Sequence, residues 1–111
     1  MSVQRIAVLG STGSVGESTL DVIARHPDRF VATALVAHRN WRKLAAQCRR
    51  VRPRFAAMHD PGAARALAQA IAGSGTEVLA GGDAIAGLAA SSAIDTVLAG
   101  IVGAAGLRST L

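Results

Sequence analysis

Short runs of consecutive apolar residues alternate along the chain with longer stretches in which apolar residues recur every three or four positions. Val3 to Leu9 closes with Ile6, Ala7, Val8 and Leu9 and stops at Gly10, which reads as a short buried strand. Val15 to His26 places Val15, Thr19, Val22 and Ile23 on one face at helical spacing, and Pro27 ends it. Val31 to Ala37 is apolar on both faces, as an interior parallel strand covered by helices requires. Trp41 to Arg52 follows as a helix whose core stripe is Trp41, Leu44, Ala45, Cys48 and Val51. Phe55 to Met58 is a third strand. Asp60-Pro61 caps and opens a helix with Ala64, Leu67, Ala68 and Ile71 on one side, which stops at Gly73-Ser74-Gly75. Glu77 to Ala80 is a brief fourth strand at a sheet edge, Gly81-Gly82 turn the chain, and Asp83 caps a short helix running to about Ser91. Asp95 to Ala99 is the fifth strand. Strand–helix alternation of this kind predicts an α/β fold: a doubly wound parallel sheet of about five strands with helices on both faces. If the fifth strand lies beside the first, the local order is 4-3-2-1-5.

The junction of the first strand and first helix carries the clearest chemistry. Gly10-Ser11-Thr12-Gly13-Ser14-Val15-Gly16 is a G-x-x-G-x-x-G turn with three hydroxyls among the glycines. Unpaired amides of a first helical turn point at one spot, and the helix dipole favours negative charge there. Gly10 allows a sharp turn, Gly13 allows a diphosphate to approach the backbone, and Gly16 allows the helix to lie close to the sheet. The plainer alternative is an ordinary strand-to-helix turn, with Ser14 as N-cap and Glu17 completing a capping box. A carboxylate at Glu17 would repel a diphosphate unless it points away.

Nucleotide-binding βαβ units that take NAD hold the adenosine 2′-hydroxyl with an acidic residue at the end of the second strand. Here that place reads His38-Arg39-Asn40, and no carboxylate occurs between Asp28 and Asp60. A 2′-phosphate would be repelled by an acid and held by the planar fork of Arg39. Asn40 can cap the next helix and reach the same phosphate. The pattern therefore favours NADP over NAD.

Composition narrows the class. At 111 residues with 50% hydrophobic and 17% charged positions, the chain is one domain with a real core, and the apolar run Val97 to Leu107 is too short and glycine-rich to span a membrane. One cysteine, Cys48, forms no internal disulfide and no multi-cysteine metal site, which suits a reducing cytoplasm. It reads as a packed small hydrophobe. His26, His38 and His59 show no metal-ligand spacing, so no metal is assigned. The net charge of +5 suits a polyanionic ligand and would also suit nucleic acid. Nucleic acid is disfavoured because the basic residues lack interleaved aromatics: Trp41 belongs to the core stripe. Gly100, Gly103 and Gly106 repeat the glycine rhythm without hydroxyls, and fit approach of a flat ligand ring or close helix–sheet packing equally well.

Taken together, Gly-Ser-Thr-Gly-Ser-Val-Gly, the following Ser-Thr-Leu-Asp-Val-Ile, Ala-Leu-Val-Ala-x-x-Asn and Ile-Val-Gly-Ala-Ala-Gly-Leu resemble the N-terminal domain of the 1-deoxy-D-xylulose 5-phosphate reductoisomerase family. The resemblance spans nearly the whole chain and implies a Rossmann-like NADPH-binding domain over residues 1–111. It implies that Thr12, Gly13, Ser14 and Val15 contact the cofactor diphosphate region and that Arg39 stands where the family has a basic residue for the 2′-phosphate, with Asn40 matching the family's asparagine. His38 stands where the family often has glycine. The family is NADPH-dependent and needs a divalent metal (Mg or Mn). It converts 1-deoxy-D-xylulose 5-phosphate to 2-C-methyl-D-erythritol 4-phosphate in non-mevalonate isoprenoid biosynthesis, and the full-length enzyme is expected to be a cytoplasmic homodimer. Its metal-binding carboxylates and Asn-Lys-Glu substrate motif have no counterpart here, so the chain alone is expected to bind NADPH weakly and to lack catalytic residues. The alternatives are the NADP-binding domain of a semialdehyde-dehydrogenase-type reductase, and a non-catalytic nucleotide- or nucleic-acid-binding module.

Overall fold

The computed structural model describes residues 3–99. Among them, strands and helices alternate as β1 (Gln4–Leu9), α1 (Ser14–Arg25), β2 (Phe30–Ala37), α2 (Trp41–Val51), β3 (Phe55–Met58), α3 (Pro61–Ala70), β4 (Glu77–Ala80), α4 (Gly82–Ala89) and β5 (Thr96–Ala99). All strand pairs are parallel, in the order β4-β3-β2-β1-β5 expected from the sequence. The strands turn back after β4 and β5 lands on the far side of β1, so winding reverses between β1 and β5. Because parallel crossovers are almost always right-handed, that reversal sends the last helix to the opposite face.

The buried side chains show the two faces. Ile6, Val8, Leu35, Met58 and their neighbours pack with Leu20 and Ile23 of α1, Leu44 and Cys48 of α2 and Leu67 of α3. Ala7, Ala34, Val36 and Ala57 meet Ile85 and Leu88 of α4 on the other side. Three helices therefore cover one face and α4 the other. The alternation in β2 is interrupted: Ile6 pairs with Ala32 but Ala7 with Ala34, so Thr33 is an extra residue opposite β1. The bulge puts Ala32 and Leu35, three positions apart, on the same face.

Several local expectations change. Ile23 is buried as expected, but Val22, expected on the same face, is 50% exposed; Gly16 and Leu20 complete the buried face with Ile23. Gly16 has no side chain to register as apolar, so the stripe read from side chains alone was rotated. In α3 the buried set includes Ala63, while Ala68 is exposed. The N-cap of α1 is Gly13, not Ser14, and that of α4 is Gly81, with Asp83 inside the first turn. Asn40 and Asp60 cap as expected: Asn40 Oδ1 accepts from the Lys43 amide at 3.3 Å, and Asp60 Oδ2 from the Ala63 amide at 2.8 Å.

At the amino ends of the strands, two side-chain pairs fasten β5 to β1: the Thr96 hydroxyl donates to Gln4 Oε1, and Arg5 grips Asp95. The Arg5 amide and Nε donate to Asp95 Oδ2 at 2.8 and 3.0 Å, and Nη2 to Oδ1 at 2.8 Å. The Asp95 amide returns a bond to the Arg5 carbonyl at 2.7 Å. Gly100, Gly103 and Gly106 lie outside the described residues.

Candidate nucleotide-binding site

The parallel sheet brings the carboxyl ends of β1, β2 and β5 to one edge, and the glycine turn leaves β1 at the point where winding reverses, the usual ligand position in such folds. Gly10 has φ +69°, a conformation that side chains disfavour, and it swings the chain off β1. The Gly13 amide then closes the turn onto the Gly10 carbonyl at 3.1 Å. α1 starts directly on this turn. A Cβ at Gly16 would stand 2.6 Å from the Ser11 carbonyl oxygen and closer still to that of Gly10, so only glycine lets the helix sit there. The close packing expected of Gly16 is therefore against the turn itself.

What the turn presents is open. Gly13 and Ser14 are exposed and Thr12 and Val15 half-buried. No side chain caps α1, so helix geometry leaves the amides of Ser14, Val15 and Gly16 without an intrahelical acceptor. This is the arrangement that binds anions at helix starts. Glu17 does not spoil it. Its carboxylate is paired with Lys43 Nζ of α2 at 2.7 Å, and that hydrogen bond, with the charge of Lys43, holds its carboxyl below the usual range.

Ser11 plays another part than its neighbours. Its side chain is fully buried, with Oγ donating to Gln47 Oε1 at 2.7 Å, while Gln47 Nε2 donates to the Ser11 carbonyl at 3.0 Å. The Ser11 amide donates to the Val36 carbonyl at 2.9 Å. Only Thr12 and Ser14 keep open hydroxyls. Gln47 escaped the sequence reading because a polar residue inside an apolar stripe was passed over; its place between Leu44 and Cys48 was the available signal.

His38, Arg39 and Asn40 leave β2 beside the glycine turn, and all three are exposed. His38 stacks on His59 from the end of β3, with ring centroids 5.3 Å apart and planes 24° from parallel. The His59 amide donates to the Ala37 carbonyl and the Asp60 amide to that of His38, each at 3.1 Å, which fixes the two loops together. Arg42 lies over the Trp41 ring at 4.9 Å. A groove of about 520 Å³ lies elsewhere, between α1 and α2 around Leu20, Ala24, Pro27 and Val51, and no sequence-predicted site residue lines it. Among the described residues, no three His, Cys, Asp or Glu side chains converge as metal ligands.

A doubly wound parallel sheet with a glycine turn at its reversal point and a basic exit from its second strand defines an α/β protein of the dinucleotide-binding kind. The particular family is shown by comparison. The model of the 1-deoxy-D-xylulose 5-phosphate reductoisomerase family matches residues 6–111, and the chain belongs to that family. It is 50% identical over 109 residues to the 1-deoxy-D-xylulose 5-phosphate reductoisomerase of Laribacter hongkongensis, covering 98% of this chain and 28% of the relative. With that of Burkholderia mallei it shares 54% over 110 residues, covering 97% and 28%. Among solved structures it resembles the Zymomonas mobilis enzyme in complex with NADPH, with TM-score 0.81 and 41% identity over 92% of this chain and 27% of that one. It also resembles a DOX-P reductoisomerase in complex with NADPH, fosmidomycin and magnesium, with TM-score 0.83 and 40% identity over 98% and 27%. The chain thus spans little more than a quarter of the length of these proteins.

Proposed function

We propose that the chain is the NADPH-binding portion of a 1-deoxy-D-xylulose 5-phosphate reductoisomerase, an enzyme that rearranges and reduces a sugar phosphate. In this reading Gly10, Thr12, Gly13, Ser14, Val15 and Gly16 line the diphosphate, which the open amides of Ser14, Val15 and Gly16 and the hydroxyls of Thr12 and Ser14 hold. Arg39 forks onto the 2′-phosphate, with His38 and Asn40 beside it. The observation that carries the reading is the open first turn of α1, seated on the glycine turn with no side-chain cap and with Glu17 neutralised by Lys43. The NADPH and magnesium named for related structures support it. NADPH supplies a hydride when bound; the residues described here only bind and orient it. Among the described residues no group of side chains offers a seat for a divalent ion. The whole enzyme is proposed to act as a cytoplasmic homodimer.

Titration of the chain with NADPH and NADH tests the reading. NADPH is expected to bind the more tightly, without turnover of 1-deoxy-D-xylulose 5-phosphate. Arg39→Asp removes a charge-assisted bond and is expected to weaken NADPH by about ten- to hundredfold while favouring NADH. Equal affinity for the two cofactors in the parent chain would remove the role given to Arg39. Binding of neither would end the assignment.

A further inference from the structure

We infer that Gln47 is a positioning residue for the diphosphate turn: it touches no ligand, and it clamps Ser11 so that the neighbouring amides are held in place before the cofactor arrives. The inference rests on the NADPH reading above and deepens it. Gln47 is only 2% exposed and sits on the apolar side of α2 between Leu44 and Cys48. A primary amide in such a place is costly unless it is hydrogen-bonded, and a leucine would fill the stripe without that cost. Both ends of this amide are spent on a single residue, Ser11, 36 positions away in sequence: Oε1 accepts from the hydroxyl and Nε2 donates to the carbonyl.

With its own amide on Val36, Ser11 has every polar group engaged. Of the residues that follow it, Gly13 is held by its amide on the Gly10 carbonyl at 3.1 Å and by its carbonyl, which accepts from the Glu17 amide of α1 at 2.9 Å, so Ser11 is the point at which the turn is tied to α2. Without the clamp the turn would have to be ordered at the moment of binding, and that cost would come out of the affinity. The same helix carries Asn40 at its cap and Lys43 on Glu17 of α1. α2 therefore joins the proposed 2′-phosphate end of the cofactor to the proposed diphosphate end, with Gln47 as the strut to the second.

The predicted effect separates Gln47 from Arg39. Arg39 variants should hurt NADPH alone. Gln47→Leu should weaken NADPH and NADH by the same factor, roughly five- to thirtyfold for ordering the freed turn on binding, and should leave adenosine 2′-monophosphate, which has no diphosphate, bound as in the parent. Calorimetric titration of the 111-residue chain with these three probes reads all of this. Unchanged dinucleotide affinity in Gln47→Leu overturns the inference. So does loss of adenosine 2′-monophosphate in step with the dinucleotides, which would mean a general loosening of the fold. If Gln47→Leu does not fold, Ser11→Ala removes one of the two bonds, and a smaller loss shared by both dinucleotides is expected; no loss, or a loss confined to NADPH, overturns the inference. A parent chain that binds neither dinucleotide fails at the earlier reading instead.

Discussion

Individual residues at the glycine turn divide into those that shape it and those it offers. Gly10 and Gly16 shape it, the first by its positive φ and the second by the absence of a side chain against the Ser11 carbonyl. Gly16→Ala should therefore cost about 3 kcal/mol, the upper range for forcing atoms into a packed place, because backbone has to yield. Urea denaturation reads this directly, and an unchanged midpoint would mean α1 is not seated on the turn as described. The glycine spacing and the missing acid near Arg39 were legible in the sequence because backbone geometry and charge write themselves into residue type. The engagement of Ser11 was not. Hydroxyls at Ser11, Thr12 and Ser14 give no sign of which faces inward until α2, far along the chain, supplies its partner.

At the scale of elements, strands were read accurately because buried parallel strands are continuous apolar runs and the helices between them have definite stops. Caps separate into two cases. Asn40 and Asp60 have side chains that accept the expected amides, whereas the cap of α1 falls on Gly13 because the turn closes one residue earlier than a Ser14 cap would need. The strength of the β1–β5 junction depends on acidity. The bonds from Arg5 hold the Asp95 carboxyl at about 2, below its ordinary 3.8. The unfolded chain then binds more protons than the folded one between these values, so this contribution is complete above about pH 4 and lost as pH falls through about 2. Thermal unfolding followed across that range should show a smaller loss of midpoint in Asp95→Asn, which already lacks the pair. Added salt should shrink the difference, since both side chains are partly exposed. Identical acid profiles would place the fastening of β5 elsewhere.

At the scale of the molecule, the sheet order and the placement of helices on both faces among the described residues follow from right-handed crossovers once β5 lies beside β1. The sequence could not show which strand carries a bulge, because β2 is apolar on both faces and its pattern looks the same with or without one. Cys48 reports on global integrity. It is 1% exposed between α2 and the sheet, and burial pushes its thiol up to about 11. Thiol reagents at mildly alkaline pH are expected to label it only through unfolding, at a rate that rises with denaturant as the whole domain opens. Rapid labelling of the native chain would show α2 lifting independently, and with it the support for the glycine turn.

The extra residue at Thr33 has a consequence for tolerance to changes in length. Because β2 presents its first part and its last part to the same helices only by virtue of one surplus position, shortening the strand there is not absorbed locally. One half must turn over. If the later half did so, His38, Arg39 and Asn40 would emerge with their sides exchanged, and the guanidinium proposed to choose between two cofactors would aim away from them. Cofactor choice would then depend on a residue count upstream as well as on the identity of the basic side chain.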